Sequence, residues 1–385
     1  MANNNKKILP NVPTLRFPEF SGEWKKCKLK EYAKKITQKN KTNSIKNVLC
    51  NSANLGLIAQ NEYFYRDITN SDNTNGYYVI KNCDFVYNPR KSTAAPYGPV
   101  NVYEGSNEGI ISPLYLCFSI KNILPKFLFY RFKSSVWHSY VYSHGDTGVR
   151  FDRVSIKDDV FFDMPISSPS MEEQQKIAYM LSLIDERIAT QGKIIEDLKK
   201  LKSAIRNKLF NQLLHSCNYL CTIRDILDYE QPTKYIVEDT EYSSDSFLVP
   251  VLTANKAFIL GYTNERFGIY DKGECIIFDD FTMDVKFVDF DFKVKSSAIK
   301  ILTAKNNADL IFIYEYLQYL ELISEEHKRH YISEIEPTTI CLPDNLTQHR
   351  ISSILYGLDK RIIIMEKLCS HLGTQKKYLL QQMFI

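Results

Sequence analysis

The chain has 385 residues, 44% of them hydrophobic and 24% charged, with only 14 Gly and 14 Pro; that length and composition suit two or three packed domains with sizeable cores. No apolar run approaches a membrane span, and the polar start MANNNKKILPNVP lacks the apolar core of a secretory signal, so no membrane partner is expected and the cytoplasm is. Nine cysteines, an odd count scattered along the length, argue the same way, for reduced thiols rather than a disulfide framework.

Net charge is +4 but unevenly spread. Residues 1–46 hold twelve Lys/Arg against three acids, a net +9 that suits a polyanion. Residues 218–342 hold twelve against 22, a net −10 that opposes one.

In chain order, residues 1–20 form a loose leader closed by Pro13, Pro18, Phe17 and Phe20, and WKKCKLKEYAKKI opens a first domain. Short strand-like runs follow, VLCN, YYVI, DFVYN, VNVY and LYLCF, separated by turn clusters such as TNSDNTNG and EGSNEG. Pro125 starts a helical run, KFLFYRFKSSVWHSYV, with proline where a helix tolerates it. HGDTGVRFDRVSI reads as a polar loop, and FFDMPISSPS leads into a long helix. The plan then repeats. CTIRDILDYEQ resembles the first opening, and FLVPVLT, AFILGY, CIIFDDF, VKFVDFDFKV and AIKIL read as strands. ADLIFIYEYLQYLELI is the second helical run, and HKRHYISEIEPTTICLP leads into a second long helix.

The two long helices are copies. Residues 173–210 and 347–384 align without a gap: Gln174 falls on Gln348, Asp185 on Asp359, Lys202 on Lys376 and Phe210 on Phe384. Ile177, Leu181, Ile184, Ile188, Ile195, Leu198, Ile205 and Leu209 form an apolar seam in the first, interrupted by Gln191 and Lys202. In the second it is Ile351, Leu355, Leu358, Ile362, Met365, Cys369, Leu372, Leu379 and Met383, with Lys376 where Lys202 stood. A 3.5-residue repeat over about five heptads is a coiled-coil seam, in helices of about 60 Å each. Two unrelated amphipathic helices would not share the place of their polar interruption, so the two are expected to pack together.

The boundaries are therefore 1–168 for leader and first domain, 169–214 for the first helix, 215–342 for the second domain and 343–385 for the second helix. The fold class is α+β, a tandem duplication of mixed sheet-and-helix domains. Two domains on a rigid helical ruler suit two-site reading of a linear polymer. B-DNA repeats its face about every 34 Å, and a helix pair holds a spacing that a flexible linker cannot.

The leader LRFPEFSGEW with KLKEYAKKI resembles the N-terminus of the specificity subunit of type I restriction–modification systems. So does the Pro169–Ala178 approach, P-S-x-x-E-Q-Q-K-I-A, continuing into LIDERIATQGKIIEDLKKLKSAI. PDNLTQHRISSILYGLDKRI is a worn second copy. The resemblance, which covers essentially the whole chain, implies two target-recognition domains on two antiparallel helices. Each domain would read half of a split duplex DNA site, with the gap fixed by the helices. It implies docking of two adenine-methyltransferase subunits, with restriction/translocase subunits joining them, and a non-catalytic role for this chain. It also implies that S-adenosylmethionine, ATP and Mg bind the partner subunits rather than this chain.

Candidate readers follow from base chemistry. Tyr87, Asn88, Arg90, Lys91 and Ser92 form a loop of the first domain: Arg and Lys suit guanine N7 and O6, Asn suits adenine, and Ser suits phosphate. The plain alternative is a hairpin turn with solvated cations. The second domain offers Asp280 and Thr282 in FDDFT at the matching place; carboxylates accept from cytosine N4 but repel phosphate. Asn51 and Asn54, with Thr253, Asn255 and Lys256, occupy matching early loops, where Asn often serves only the backbone. Arg150 and Arg153, with Lys328 and Arg329, sit in late loops and suit phosphate.

Enzyme signatures are missing. Gly192-Lys193 continues into Ile inside the coiled coil rather than forming a phosphate loop. Asn88-Pro89 is followed by Arg90, unlike an adenine-methyltransferase catalytic loop, and there is no Gly-rich cofactor turn. His215, Cys217 and Cys221 lack the second ligand pair that zinc needs, so no metal site is expected. The competing reading is a cytoplasmic coiled-coil adaptor whose two domains bind proteins, which the acidic second domain favours. Salt-sensitive binding to duplex DNA separates the two.

Overall fold

The computed structural model describes residues 11–63, 74–145, 152–253, 258–305, 308–323 and 329–385. The chain divides into two compact units, Met1–Thr190 with Leu368–Ile385, and Gln191–Lys367. Two long helices, Met171–His215 and Asn345–Gln382, each contribute to both.

In the first unit Lys25–Lys28 pairs antiparallel with Pro165–Ser168, clasping the start of the domain to its finish. Between them lie two four-stranded sheets. One runs Ala33–Lys35, Leu116–Ile120, Phe85–Tyr87, Val100–Val102; the other runs Gly56–Ala59, Val48–Ser52, Gly109–Ile111, Tyr78–Ile80, with one parallel pairing between Val48–Ser52 and Gly109–Ile111. Aromatic side chains fill the first sheet's core face: Phe85 stacks on Phe118 at 5.3 Å and Tyr87 on Phe161 at 4.7 Å. Ile177, Leu181, Leu380, Met383 and Phe384 join the same core, so the start of one long helix and the end of the other are built into this unit.

The second unit repeats the plan. Leu220–Thr222 pairs with Thr339–Cys341 as the clasp. A four-stranded sheet runs Leu227–Glu230, Ile299–Ala304, Cys275–Asp279, Val285–Val288. A three-stranded sheet runs Ile259–Thr263, Val249–Leu252, Lys293–Val294 and again holds one parallel pair. Phe210, Leu213, Ile351 and Leu355 join its core. Leu181 and Leu355, equivalent in the helix alignment, are both 0% exposed; burying each contributes about 1.5–3 kcal/mol.

The duplication extends to single hydrogen bonds. Gln174 accepts from Leu124 N at 2.9 Å and donates to Pro169 O at 3.0 Å; Gln348 accepts from Asp309 N at 2.9 Å and donates to Pro343 O at 2.8 Å. Each glutamine thus ties the start of its long helix to the start of the domain helix, Pro125–Lys133 or Leu310–Tyr319.

The polar interruptions of the seam have the same logic. Lys376 pairs with Asp185 in the first unit, and Lys202 with Asp359 at 2.5 Å in the second. Because each copy carries both residues, antiparallel packing satisfies both lysines reciprocally. In the second unit Lys199 meets Glu366 at 2.6 Å while Lys202, further along, meets the earlier Asp359, so the helices run antiparallel. Ile177, Leu181, Ile351, Leu355 and Ile362 are buried, while Ile184, Ile188, Leu198, Leu358 and Leu372 are half-buried.

Three expectations are corrected. The run KFLFYRFKSSVWHSYV is two helices, Pro125–Lys133 and His138–His144. Ser134 breaks it, its hydroxyl donating to Arg131 O at 2.6 Å while its backbone turns extended. VKFVDFDFKV is likewise two strands, Val285–Val288 and Lys293–Val294. The thiols are not all reduced: Cys217 and Cys341 form a disulfide, leaving seven free. The clasp pairing brings together cysteines 124 residues apart, a proximity no local spacing reveals. Among the described residues no helix is long and apolar enough to cross a membrane.

Candidate nucleic-acid interface

A cleft of about 640 Å³ opens in the first unit between the strand Val48–Ser52 and the loop 88–94. Asn51, Asn54, Asn88, Arg90, Lys91, Ser92 and Arg153 all line it, together with Gln60, Tyr77, Ser112 and Tyr115. Residues from three separate stretches therefore converge on one wall-and-floor arrangement.

Backbone bonds hold the loop. Lys91 N donates to Asp152 O at 2.8 Å and Val154 N to Pro89 O at 2.9 Å, so Arg90 and Arg153 pair as an antiparallel bridge. Asn88 N donates to Pro99 O at 3.0 Å. Gly98 makes that approach possible: its φ is +83°, and a Cβ there would lie 2.0 Å from the Asn88 carbonyl oxygen. Ser92 and Ala95 close the tip with reciprocal backbone bonds of 3.0 and 3.1 Å.

Positive charge dominates the cleft. Arg90 is exposed and only loosely held, its guanidinium 3.6 Å from Asp152. Arg153 is half-buried, and its Nε has no hydrogen-bond partner. Burial pushes the Tyr115 hydroxyl up, helped by Cys50, while Arg153 and Arg90 pull it back down. A phosphate or a base edge is the kind of ligand such unspent donors suit.

Two residues expected on the surface are not there. Tyr87 is 2% exposed. Its hydroxyl donates to Tyr97 O at 2.9 Å and burial pushes its pKa up, so it belongs to the wall's core. Asn51 is buried too, and its side chain is spent on Val86 O at 2.8 Å and on Asn101 at 2.6 Å. It shapes the cleft floor rather than presenting a free amide. Asn101 and Tyr115 were missed. A signal for Asn101 was present: in VNVY the flanking Val100 and Val102 face the apolar core, so Asn101 must face the other way.

The second unit differs. Asp280 is 1% exposed. Its carboxylate accepts from His330 N at 3.1 Å and Tyr331 N at 2.9 Å and pairs with Lys300 at 3.5 Å, so it clamps two loops together and is no free acceptor for a base. Thr282 and Arg329 are exposed, and Thr253 is half-buried with its N–H donating to Phe258 O at 3.0 Å. Arg150, Asn255, Lys256 and Lys328 lie outside the described residues. The cluster His215, Cys217 and Cys221 dissolves, since Cys217 is bonded to Cys341. Among the described residues no group of three or more His, Cys, Asp or Glu could hold a metal ion.

Fold and cleft together define one mixed sheet-and-helix domain plan built twice, with a cation- and amide-lined cleft in the first copy. Residues 21–200 match the family described as the type I restriction modification DNA specificity domain. Over 163 residues the chain is 45% identical to the EcoR124I/EcoR124II specificity subunit of Escherichia coli, a match spanning 40% of each protein. The chain thus covers less than half of that relative. Over 314 residues, 73% of this chain and 72% of the relative, it is 26% identical to the putative type I restriction enzyme MjaX specificity subunit of Methanocaldococcus jannaschii. The fold resembles the crystal structure of the type I restriction-modification S subunit from M. genitalium, with a TM-score of 0.63 over 97% of this chain and 99% of that one at 16% identity. Residues 21–200 are thus similar to a type I restriction modification DNA specificity domain, and a weaker likeness to a specificity subunit spans 73% of the chain.

Proposed function

We propose that this chain is a non-catalytic subunit that selects a split duplex DNA site, one half per domain, with the gap set by the helix pair. In this reading the helices dock two adenine-methyltransferase subunits, restriction/translocase subunits join them, and S-adenosylmethionine, ATP and Mg bind those partners. The compartment is the cytoplasm. One observation carries the reading: Arg90, Lys91 and Arg153 converge with Asn54, Asn88 and Ser92 on a single cleft, inside the stretch that matches the specificity family. Arg and Lys can grip guanine or phosphate there, and Asn can read adenine. In the second domain Thr253, Thr282 and Arg329, with Asn255, Lys256 and Lys328, are the corresponding candidates.

The net −10 of residues 218–342 favours a second reading, in which that domain binds a protein instead. A methylation map separates them. The chain is co-expressed with its methyltransferase partner in a host free of adenine methylation, and modified adenines are mapped. The expected result is one split motif with a fixed gap, lost when this chain is omitted. A one-sided motif would assign the acidic domain to a protein partner, and no motif from a soluble complex would sink the DNA reading.

A further inference from the structure

Beneath the cleft runs a chain of side-chain amides whose far end is a lysine. Lys133, the last residue of the helix Pro125–Lys133, donates from Nζ to Asn101 Oδ1 at 2.7 Å. Asn101 Nδ2 donates to Asn51 Oδ1 at 2.6 Å and to Ser52 O at 2.9 Å. Asn51 Nδ2 donates to Val86 O at 2.8 Å and to Pro99 O at 3.4 Å. Asn88 Nδ2 reaches Asn51 O at 3.3 Å, and Asn88 Oδ1 accepts from Arg90 N at 3.0 Å. The chain therefore ends on the cleft's cationic loop.

An ammonium has three donors and no acceptor, so it admits only the oxygen of Asn101. The Asn101 NH₂ then meets Asn51 Oδ1 and Ser52 O, and the Asn51 NH₂ meets two backbone carbonyls. Asn88 donates to the backbone carbonyl of Asn51, so the last link to the loop runs through the Asn51 backbone and not through its amide. Asn101 is 1% and Asn51 6% exposed, so loss of the lysine donor would leave Asn101 Oδ1 buried without its partner.

We propose that Lys133 is a positioning residue for the first domain's cleft: through Asn101, Asn51 and Asn88 its ammonium sets the loop that carries Arg90, without touching the nucleic acid itself. The inference rests on the cleft being the DNA-reading site. It explains why a cation stands half-buried with no carboxylate as its hydrogen-bond partner.

The groups around Lys133 make its role titratable. Burial, and then the Lys376 ammonium on the second long helix, push the Lys133 amine down to about 8, against the pull of Asp185 on the first. Asp185 also accepts from the Tyr130 hydroxyl at 2.8 Å. On Lys133's own helix, Lys126 lies over the same Phe129 ring and pairs with Glu104. The cation is present below about 8 and lost above it. A neutral amine still donates, but without the charge its bond to Asn101 is weaker, so the network then loses its outer support.

The test uses the full chain with its methyltransferase partner, on the motif that the methylation map yields. Binding is compared between the cognate duplex and duplexes with one base changed in either half. Lys133→Met is expected to lose at least about tenfold of the discrimination at the first half-site, the size of a charged hydrogen bond, and none at the second. Lys133→Arg keeps a donor-only cation that does not titrate; it should keep the discrimination and remove the wild-type decline from about pH 7 to about pH 9. If Lys133→Met does not fold, the wild-type and Lys133→Arg pH profiles decide alone. Undiminished first-half discrimination in Lys133→Met, or a wild-type profile that is flat or matches Lys133→Arg, overturns the assignment while leaving the DNA reading standing. Absence of any motif from the wild-type complex overturns both.

Discussion

Replacing Lys202 by Met tests the pairing of the long helices where the stakes are highest. The Lys202 ammonium lies 2.6 Å from Glu315 and 2.5 Å from Asp359. Glu315 is 0% exposed, and its other oxygen has Arg206 at 3.6 Å. Met keeps the apolar stem and deletes the charge. Removing one partner from a buried pair costs about 3–5 kcal/mol; with Arg206 still in place the lower end, about 3 kcal/mol, is expected. That is a fall of about 6–12 °C in the melting of a unit this size. The pH dependence gives the sign. Burial holds the Glu315 carboxyl above its ordinary range, outweighing Lys202 and Arg206. A carboxyl raised in the folded state is no liability below its unfolded value of about 4.3, and its charge is felt in full once pH exceeds the folded value. Without Lys202 that value rises further, so the loss should be larger at about pH 7.5 than at about pH 5. Urea denaturation of the full chain, followed by far-UV circular dichroism at both pH values, measures it. Adding Glu315→Gln should recover most of the loss. A Lys202→Met chain as stable as the parent, or an equal loss at both pH values, would refute the reasoning.

Gly98→Ala should cost more than about 2 kcal/mol and weaken discrimination at the first half-site, because Ala at φ +83° would drive a Cβ into the Asn88 carbonyl; an unchanged melt and motif would contradict this. Arg153→Ala should weaken duplex binding evenly across sequences and reduce the slope of log affinity against log salt by about one. An unaltered slope would remove Arg153 from the phosphate contacts. One heptad inserted after Gln191 should lengthen the unread spacer of the methylation motif with both half-sites intact; a changed half-site would end the ruler idea. Thiol titration of the denatured, unreduced chain should find seven reactive groups and, after reduction, nine. Cys217→Ser should cost the Gln191–Lys367 unit about 2–4 kcal/mol.

The local pattern of residues determined the helices, most strands and the duplication. Heptad spacing and the shared place of Lys202 and Lys376 are periodic along one chain, and period alone dictates which face a helix buries. Even the partners of those lysines, Asp185 and Asp359, stand at matching positions of the alignment. The short strands Gly56–Ala59 and Gly109–Ile111 escaped notice because glycine at their starts reads as a turn.

What the pattern could not decide is which polar groups are spent. Tyr87, Asn51 and Asp280 have the chemistry of readers, yet each is buried and committed to backbone or to a buried lysine. Their commitments run to residues 10, 35 and 51 positions away in sequence, and a hydrogen bond across a fold leaves no trace in local spacing. The same holds for Cys217 with Cys341, 124 residues apart, and for Lys133 with Asn101 and, through it, Asn51. Sequence supplied the donors and acceptors; only the packing of distant strands against one another determined which remained free to meet a ligand.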